Sequence, residues 1–254
     1  MEEGCIILYK ASSIESCNIK ATDDELGKVK DLYFDSEKWM VRYLVIDTMK
    51  WLPGRKVLLS PVSFDKVDPT NDQISVLASK QQIKDSPSMD EHQPVSRRKE
   101  MDLHTYYGWQ PYWIGGGLWG PANIPMAYQP DELTNMNESV NNDEPSLRSV
   151  NELKGHVTGY TVKAADDDIG NVIDFVIDDN AWAIHYLIVD TGDWLPGKKI
   201  VIGPELIDSI DWDKKELTIN LKSEEVEKES VEDDAILNLD EVTVENLRKR
   251  NILK

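Results

Sequence analysis

Four histidines, two cysteines and two clusters of carboxylates are the side chains of this 254-residue chain whose types could support chemistry. His92, His104, His156 and His185 fall outside the H-E-x-x-H interval that sets two imidazoles on one helix face, and no comparable ligand spacing replaces it. Carboxylates crowd at Asp23-Asp24-Glu25 and at Asp166-Asp167-Asp168, a composition that invites calcium. Both runs lack the alternate spacing and distal bidentate Glu of an EF-hand loop, so they read as solvated turns. Cys5 and Cys17 are not spaced C-x-x-C and are too few for a thiolate zinc site, so two ordinary reduced thiols are expected. Gly115-Gly116-Gly117 precedes no helix that could present phosphate-binding amides, and neither a P-loop nor a G-x-G-x-x-G is visible.

Two carboxylates stand apart. Asp31 and Asp174 each sit mid-strand with apolar residues nearby, where burial could raise a carboxyl pKa and mark a site. The structural alternative is a pair with a neighbouring strand's Lys or backbone N–H. The aromatic run Tyr106, Tyr107, Trp109, Tyr112 and Trp113 offers a contact surface of the kind enriched at interfaces, or else a clamp that fastens the segment to its own domain. No catalytic, cofactor-binding or metal-binding residue is assigned on this reading, no cofactor is called for, and the chain is not expected to be an enzyme.

Charge narrows the partners. The net charge of −19 is spread unevenly, about −2 over residues 1–86, −5 over 87–150 and −12 over 151–254. A field of that sign repels phosphate backbones and anionic membranes, so direct nucleic-acid binding is not expected despite the small basic patch Arg97-Arg98-Lys99. No apolar run approaches the 18 residues of a membrane span. The start MEEGCIILYK carries two acids and a short apolar run rather than a secretory signal, so a cytoplasmic location is expected.

The elements that must position these residues are written twice. Displaced by 143, residues 21–76 and 164–219 align without a gap and are identical at 20 of 56 positions. Shared residues include Gly27/Gly170, Asp31/Asp174, Asp35/Asp178, Trp39/Trp182, Tyr43/Tyr186 and the phrase Asp-Thr-x-x-Trp-Leu-Pro-Gly. Self-similarity of this length marks a duplicated module. His185 answers to Arg42, which no metal would accept, so a surface-strand role is expected for it. Each copy reads as short strands broken by turns, with strands such as WAIHYLIVD apolar on both faces, as a small barrel requires. Leu-Pro-Gly suits a type II turn, Pro presetting φ and Gly taking the positive φ, with Trp51 and Trp194 placed over a barrel end. Helices are expected at 79–86, stopped by Pro87, and at 97–107, between a Ser96 cap and Gly108. Gly, Pro and Asn without periodicity over 115–146 read as a mobile linker.

Both copies resemble the PRC-barrel domain, the small β-barrel of the cytoplasmic part of the photosynthetic reaction-centre H subunit, also found in a ribosome-maturation factor. The residues that carry the resemblance are Gly-x-Val-x-Asp (Gly27–Asp31, Gly170–Asp174), Tyr-Leu-x-x-Asp-Thr (Tyr43–Thr48, Tyr186–Thr191) and Trp-Leu-Pro-Gly-x-Lys followed by Pro61 or Pro204. The expected fold is mainly β, two small PRC-like barrels in tandem with short helices and a flexible linker. Its divisions are a first module with a helical and aromatic extension at 6–113, a linker at 114–149, a second module at 150–230 and an acidic tail with a short helix at 231–254. The resemblance implies a non-catalytic interaction or adaptor module with a protein partner. The alternatives are a ligand-binding protein using a cleft between barrels, and an accessory subunit of a photosynthetic or membrane complex. A duplicated module also leads us to expect the barrels to pair as an intramolecular pseudo-dimer.

Overall fold

The computed structural model describes residues 6–48, 51–53, 55–90, 95–127, 147–155, 159–228 and 231–232. His92, His156, Cys5 and nearly all of the expected acidic tail lie outside them. The chain is mainly β and divides into two compact units. A first-repeat unit comprises Ser13–Ser149 with Asn180–Ala183, and a second-repeat unit comprises Met1–Ser12, Val150–Asp179 and Ile184–Lys254.

In the first-repeat unit the strands are β2 (Asn18–Lys20), β3 (Glu25–Asp35), β4 (Met40–Ile46), β5 (Arg55–Leu59), β6 (Phe64–Asp68), β7 (Gln73–Val76), β8 (Met89–Asp90) and β9 (Leu147–Ser149). They form one sheet in the order β6-β7-β2-β3-β4-β5-β8, with β9 added to β3. The second-repeat unit uses β1 (Leu8–Lys10), β10 (Thr161–Lys163), β11 (Asp168–Asp178), β12 (Ile184–Asp190), β13 (Lys198–Ile202), β14 (Ile207–Asp211), β15 (Glu216–Ile219) and β16 (Val231–Glu232). Their order is β14-β15-β10-β11-β12-β13-β16, with β1 added to β11. β3 and β11, and β5 and β13, are displaced by the 143 residues of the sequence repeat. The parallel pairings β2 with β7 and β10 with β15 recur as well, among otherwise antiparallel neighbours.

The long strands carry the shared residues for visible reasons. Gly27 and Gly170 have φ of 139° and 152°, and a Cβ at either would collide with the carbonyl oxygen of Asp47 or Asp190. Only glycine lets the following turn approach so closely. Gly27→Ala and Gly170→Ala are therefore each expected to destabilise their own unit by about 1–3 kcal/mol. Urea unfolding of the two variants checks this, and a loss below about 0.5 kcal/mol at both positions would mean the turn relaxes freely. Asp31 and Asp174 sit at register shifts in β3 and β11. Each carboxylate accepts the next backbone N–H of its own strand at 2.8 Å, Leu32 N and Phe175 N. Each also accepts a serine hydroxyl at 2.5 Å, from Ser149 and Ser12. Both carboxylates are thus partnered by backbone N–H groups, as the structural alternative has it, and by serine hydroxyls besides.

The repeated phrase is a stapled turn. Thr191 Oγ1 donates to the carbonyls of Leu195 and Lys198 at 2.6 and 2.8 Å, and Lys198 N donates to Leu195 O at 3.1 Å with Gly197 at φ 77°. Thr48 makes the same two contacts in the first copy, to Leu52 and Arg55. Trp51 and Trp194 are half-buried, and Trp51 Nε1 donates to Leu26 O at 2.6 Å.

The acidic turns hold the helices that follow each sheet, α2 (Lys80–Asp85) and α5 (Ser223–Lys228). Asp23 accepts from Lys80 N and Asp166 from Ser223 N, both at 2.8 Å. They are exposed turns, as expected, with a fixed structural duty. Cys17 is buried, and burial followed by the negative field of Asp72 and Asp68 pushes its thiol up to about 11.

The expected linker is corrected at both ends. Residues 115–127 pack onto the first-repeat unit, and 147–149 are β9. Short bridges join Trp109 to Ala127, Gly117 to Gly120 and Trp119 to Ala122. The composition that reads as mobile here serves tight turns. Residues 128–146 lie outside the described ones.

Candidate binding site

The chemistry-bearing residues of the described chain gather in the first-repeat unit, where helix α3 (Arg97–Tyr107) covers β4. Ser96 caps α3 through Lys99 N, and Gly108 ends it at φ 71° by donating its N–H to His104 O. Arg97, Glu100, Leu103 and His104 recur at intervals of three and four, which puts them on one helix face. That face is buried at Glu100, Leu103 and His104.

β4 meets it with a strand buried at all seven positions, among them Arg42 and Tyr43. Glu100 Oε1 pairs with Arg97 at 3.1 Å, and Oε2 accepts the hydroxyls of Tyr112 at 2.6 Å and Tyr43 at 3.1 Å. The Tyr43 oxygen is also 2.7 Å from His104 Nε2. His104 Nδ1 faces the Gln110 carbonyl at 3.0 Å. A carbonyl only accepts, so Nδ1 carries the proton and Nε2 accepts from Tyr43, whose single hydroxyl proton is shared between Nε2 at 2.7 Å and Glu100 Oε2 at 3.1 Å. Burial drives the His104 pKa down to about 3, which keeps the ring neutral. Burial, then the Glu100 carboxylate, pushes both Tyr43 and Tyr112 well up.

Arg42 lies at the other end of this cluster. It donates to Asp35 Oδ2 at 3.1 Å and to Leu118 O at 2.7 Å, and its guanidinium sits 4.0 Å from the Tyr112 ring centre and 4.8 Å from that of Trp119. Burial lowers its pKa, while Tyr112 and Asp35 oppose that and favour the charged form. His185 and Asp178 repeat the Arg42–Asp35 pair in the second copy, at 2.9 Å, so His185 is a partly exposed strand residue with a carboxylate partner.

The aromatic run therefore divides. Trp109 and Tyr112 are buried in this cluster and clamp the segment down, whereas Tyr106 is exposed. Trp113 packs on His104 at 5.0 Å and lies under the Arg97 guanidinium at 4.3 Å.

Beside the cluster is a cavity of about 310 Å3, lined by Asp35, Ser36, Glu37, Lys38, Arg97, Tyr112, Trp113 and Arg148. Arg148 reaches it from β9, and the β3–β4 turn supplies Asp35 to Lys38. Lys38 Nζ donates to Gly117 O at 2.9 Å, which ties the cavity wall to the 115–127 loop. Of these lining residues, Tyr112 and Trp113 belong to the aromatic run that the sequence offers as a contact surface or clamp, and Arg97 to its small basic patch; the others carry no such signal. The readable signal was the Arg97-x-x-Glu100-x-x-x-His104 spacing, which places three ionisable groups along one side of a helix.

Among the described residues no helix is long and apolar enough to cross a membrane, and no group of three or more His, Cys, Asp or Glu is placed to hold a metal. Residues 7–83 match the family model of the PRC-barrel domain. No curated protein matches the chain.

Proposed function

We propose, with the PRC-barrel domain over residues 7–83 as premise, that the chain is a non-catalytic interaction module built on two such barrels in tandem. One observation carries the reading. Leu118, Ile124 and Met126 are exposed at 37%, 39% and 56% on the 115–127 loop, and that loop is pinned from below through Arg42 on Leu118 O and Lys38 on Gly117 O. Large apolar side chains held toward water on a fastened backbone lose little conformational entropy on binding, which favours use as a contact surface. The net charge of −19 on the chain suits a partner with a basic rim around an apolar centre.

The test is photo-crosslinking from positions 118 and 126 in native extract, beside a Leu118→Ser, Met126→Ser double variant. Surface changes of this kind alter stability by no more than about 0.5 kcal/mol, so folding is not in question. The expected result is a discrete crosslinked partner that the double variant captures at least tenfold less. Equal capture by both proteins would reject the loop as the surface. A membrane protein as the captured partner would turn the reading toward an accessory subunit, and a soluble one would keep it as a cytoplasmic adaptor. Pairing of the two barrels as a pseudo-dimer rests on the sequence duplication alone, and small-angle scattering tests it.

A further inference from the structure

The division into compact units does not follow the division into sequence repeats. β1 and the short helix α1 (Ala11–Glu15) lead into β2 of the first repeat, yet β1 lies in the second-repeat sheet, paired with β11. β9 and the short helix α4 (Val150–Leu153) lead into β10 of the second repeat, yet β9 lies in the first-repeat sheet, paired with β3. Both pairings have one register in repeat numbering. Leu8 faces Asp178 and Leu147 faces Asp35, carboxylates that answer to each other across the 143-residue displacement. Each lead strand is fastened at a matching point as well, by Ser12 on Asp174 and by Ser149 on Asp31.

The donated segments enter the cores that receive them. Leu8 packs on the cluster of Val176, Tyr186, Ile188 and Val201, and Leu147 is buried. The second repeat donates a further piece, the β11–β12 turn Asn180–Ala183, which belongs to the first-repeat unit. There Val41 N donates to Trp182 O at 2.8 Å, Trp119 Nε1 donates to Ala181 O at 2.6 Å, and the Trp182 ring meets Phe64 edge-on at 5.1 Å. Connector length does not force the exchange. On β3 the stretch from Tyr33 back to Lys28, the partner of Asn18, spans roughly 17 Å at about 3.3 Å per residue. Residues 11–17 are long enough to cross it, so β1 has the reach to complete its own sheet and completes the other one.

We propose that the chain is a strand-exchanged pair of halves, in which residues 6–127 and 147–232 hold each other through β1, β9 and the turn Asn180–Ala183 without need of the peptide link between them. The matching half of a second copy of this chain is then an equally competent partner. Exchange between copies remakes the same contacts, so only the effective concentration within one chain favours the closed form. This goes beyond the interaction reading, because none of the donated segments includes the exposed apolar side chains of the 115–127 loop.

The experiment replaces residues 133–139 of the full-length protein by the site of a sequence-specific protease and cuts the folded chain there. The expected result is that both halves leave a size-exclusion column together at low micromolar concentration. Cut proteins of natural and 15N composition, mixed, unfolded in urea and refolded, should give hybrid complexes in native mass spectrometry. Separation of the halves on cutting, or refolding without hybrids, overturns the proposal. Hydrogen exchange in the uncut protein reads the donation itself. Leu8→Ala should speed exchange at least tenfold in β11 and β12 and leave β3 and β4 unchanged, and Leu147→Ala should do the reverse. Loss of protection in the sheet of the variant's own repeat instead overturns the proposal as well. Failure to capture a partner in the crosslinking experiment leaves these results untouched, so the two readings fail separately.

Discussion

Replacing Glu100 by Ala is expected to remove about 3–5 kcal/mol from the stability of the first-repeat unit, the range seen when one partner of a buried ion pair is deleted. Glu100 has no exposure, and its two oxygens serve three donors: Arg97, Tyr43 and Tyr112. Deletion strands a guanidinium that is largely buried and leaves Tyr112 without the acceptor its hydroxyl reaches at 2.6 Å. Tyr43 suffers less, because His104 Nε2 still takes its proton at 2.7 Å. Glu100→Gln keeps one carbonyl oxygen as an acceptor for the phenols but replaces the other with an NH2 that cannot accept from Arg97, so its loss should be smaller than that of alanine while still including the ion pair. Denaturant unfolding of both variants measures the difference. Alanine and glutamine variants within about 0.5 kcal/mol of the parent would mean that water reaches the cluster and screens it.

Why the cluster went unread while the sheets did not comes down to which interactions leave a pattern. The repeat at 143 residues survives in the sequence because glycine, proline and threonine are each needed by a backbone turn that no other residue reproduces, as at Gly27, Pro196 and Thr191. The caps Ser79, Ser96 and Gly108 announce α2 and α3 for the same local reason. The three-residue strands β1 and β9 carry no such signal. LYK and LRS are too short for any period, and their partners on β11 and β3 are more than 100 residues away. Each nevertheless sits next to, or contains, the serine that satisfies the mid-strand Asp174 or Asp31. Loop 115–127 misled for a related reason. It is held by side chains gripping carbonyl oxygens, Arg42 on Leu118 and Lys38 on Gly117, and a backbone acceptor has no residue identity to read. Glu100 and His104 were legible as a spacing on a helix. That the spacing faces inward is set by β4, where an arginine and a tyrosine replace the apolar residues a buried strand ordinarily shows.

His104 turns that burial into a dependence on pH. In the folded unit its pKa is about 3, because burial disfavours the charged ring more than the Gln110 and Trp109 backbone contacts favour it. In the unfolded chain it returns to about 6.5. Above 6.5 both states are neutral and the group contributes no pH dependence. Below 6.5 the unfolded state binds a proton that the folded state refuses, so stability falls as pH falls, through a window that closes near pH 3. Well inside the window each unit of pH costs about 1.4 kcal/mol, which makes roughly 2 kcal/mol between pH 6.5 and 4.5. Protonation would also set a second donor on Nε2 against the Tyr43 hydroxyl and place a positive ring beside Arg97 and Arg42, both of which already lower its pKa. Urea midpoints for the parent and His104→Gln at pH 7.0, 5.5 and 4.5 isolate the effect, since the carboxylates titrate alike in both proteins. The parent should lose stability to acid more steeply than the variant in the transition that unfolds this unit. Parallel losses would show that the folded ring takes up its proton, either because water enters beside Tyr43 or because the Glu100 carboxylate captures the imidazolium as a partner.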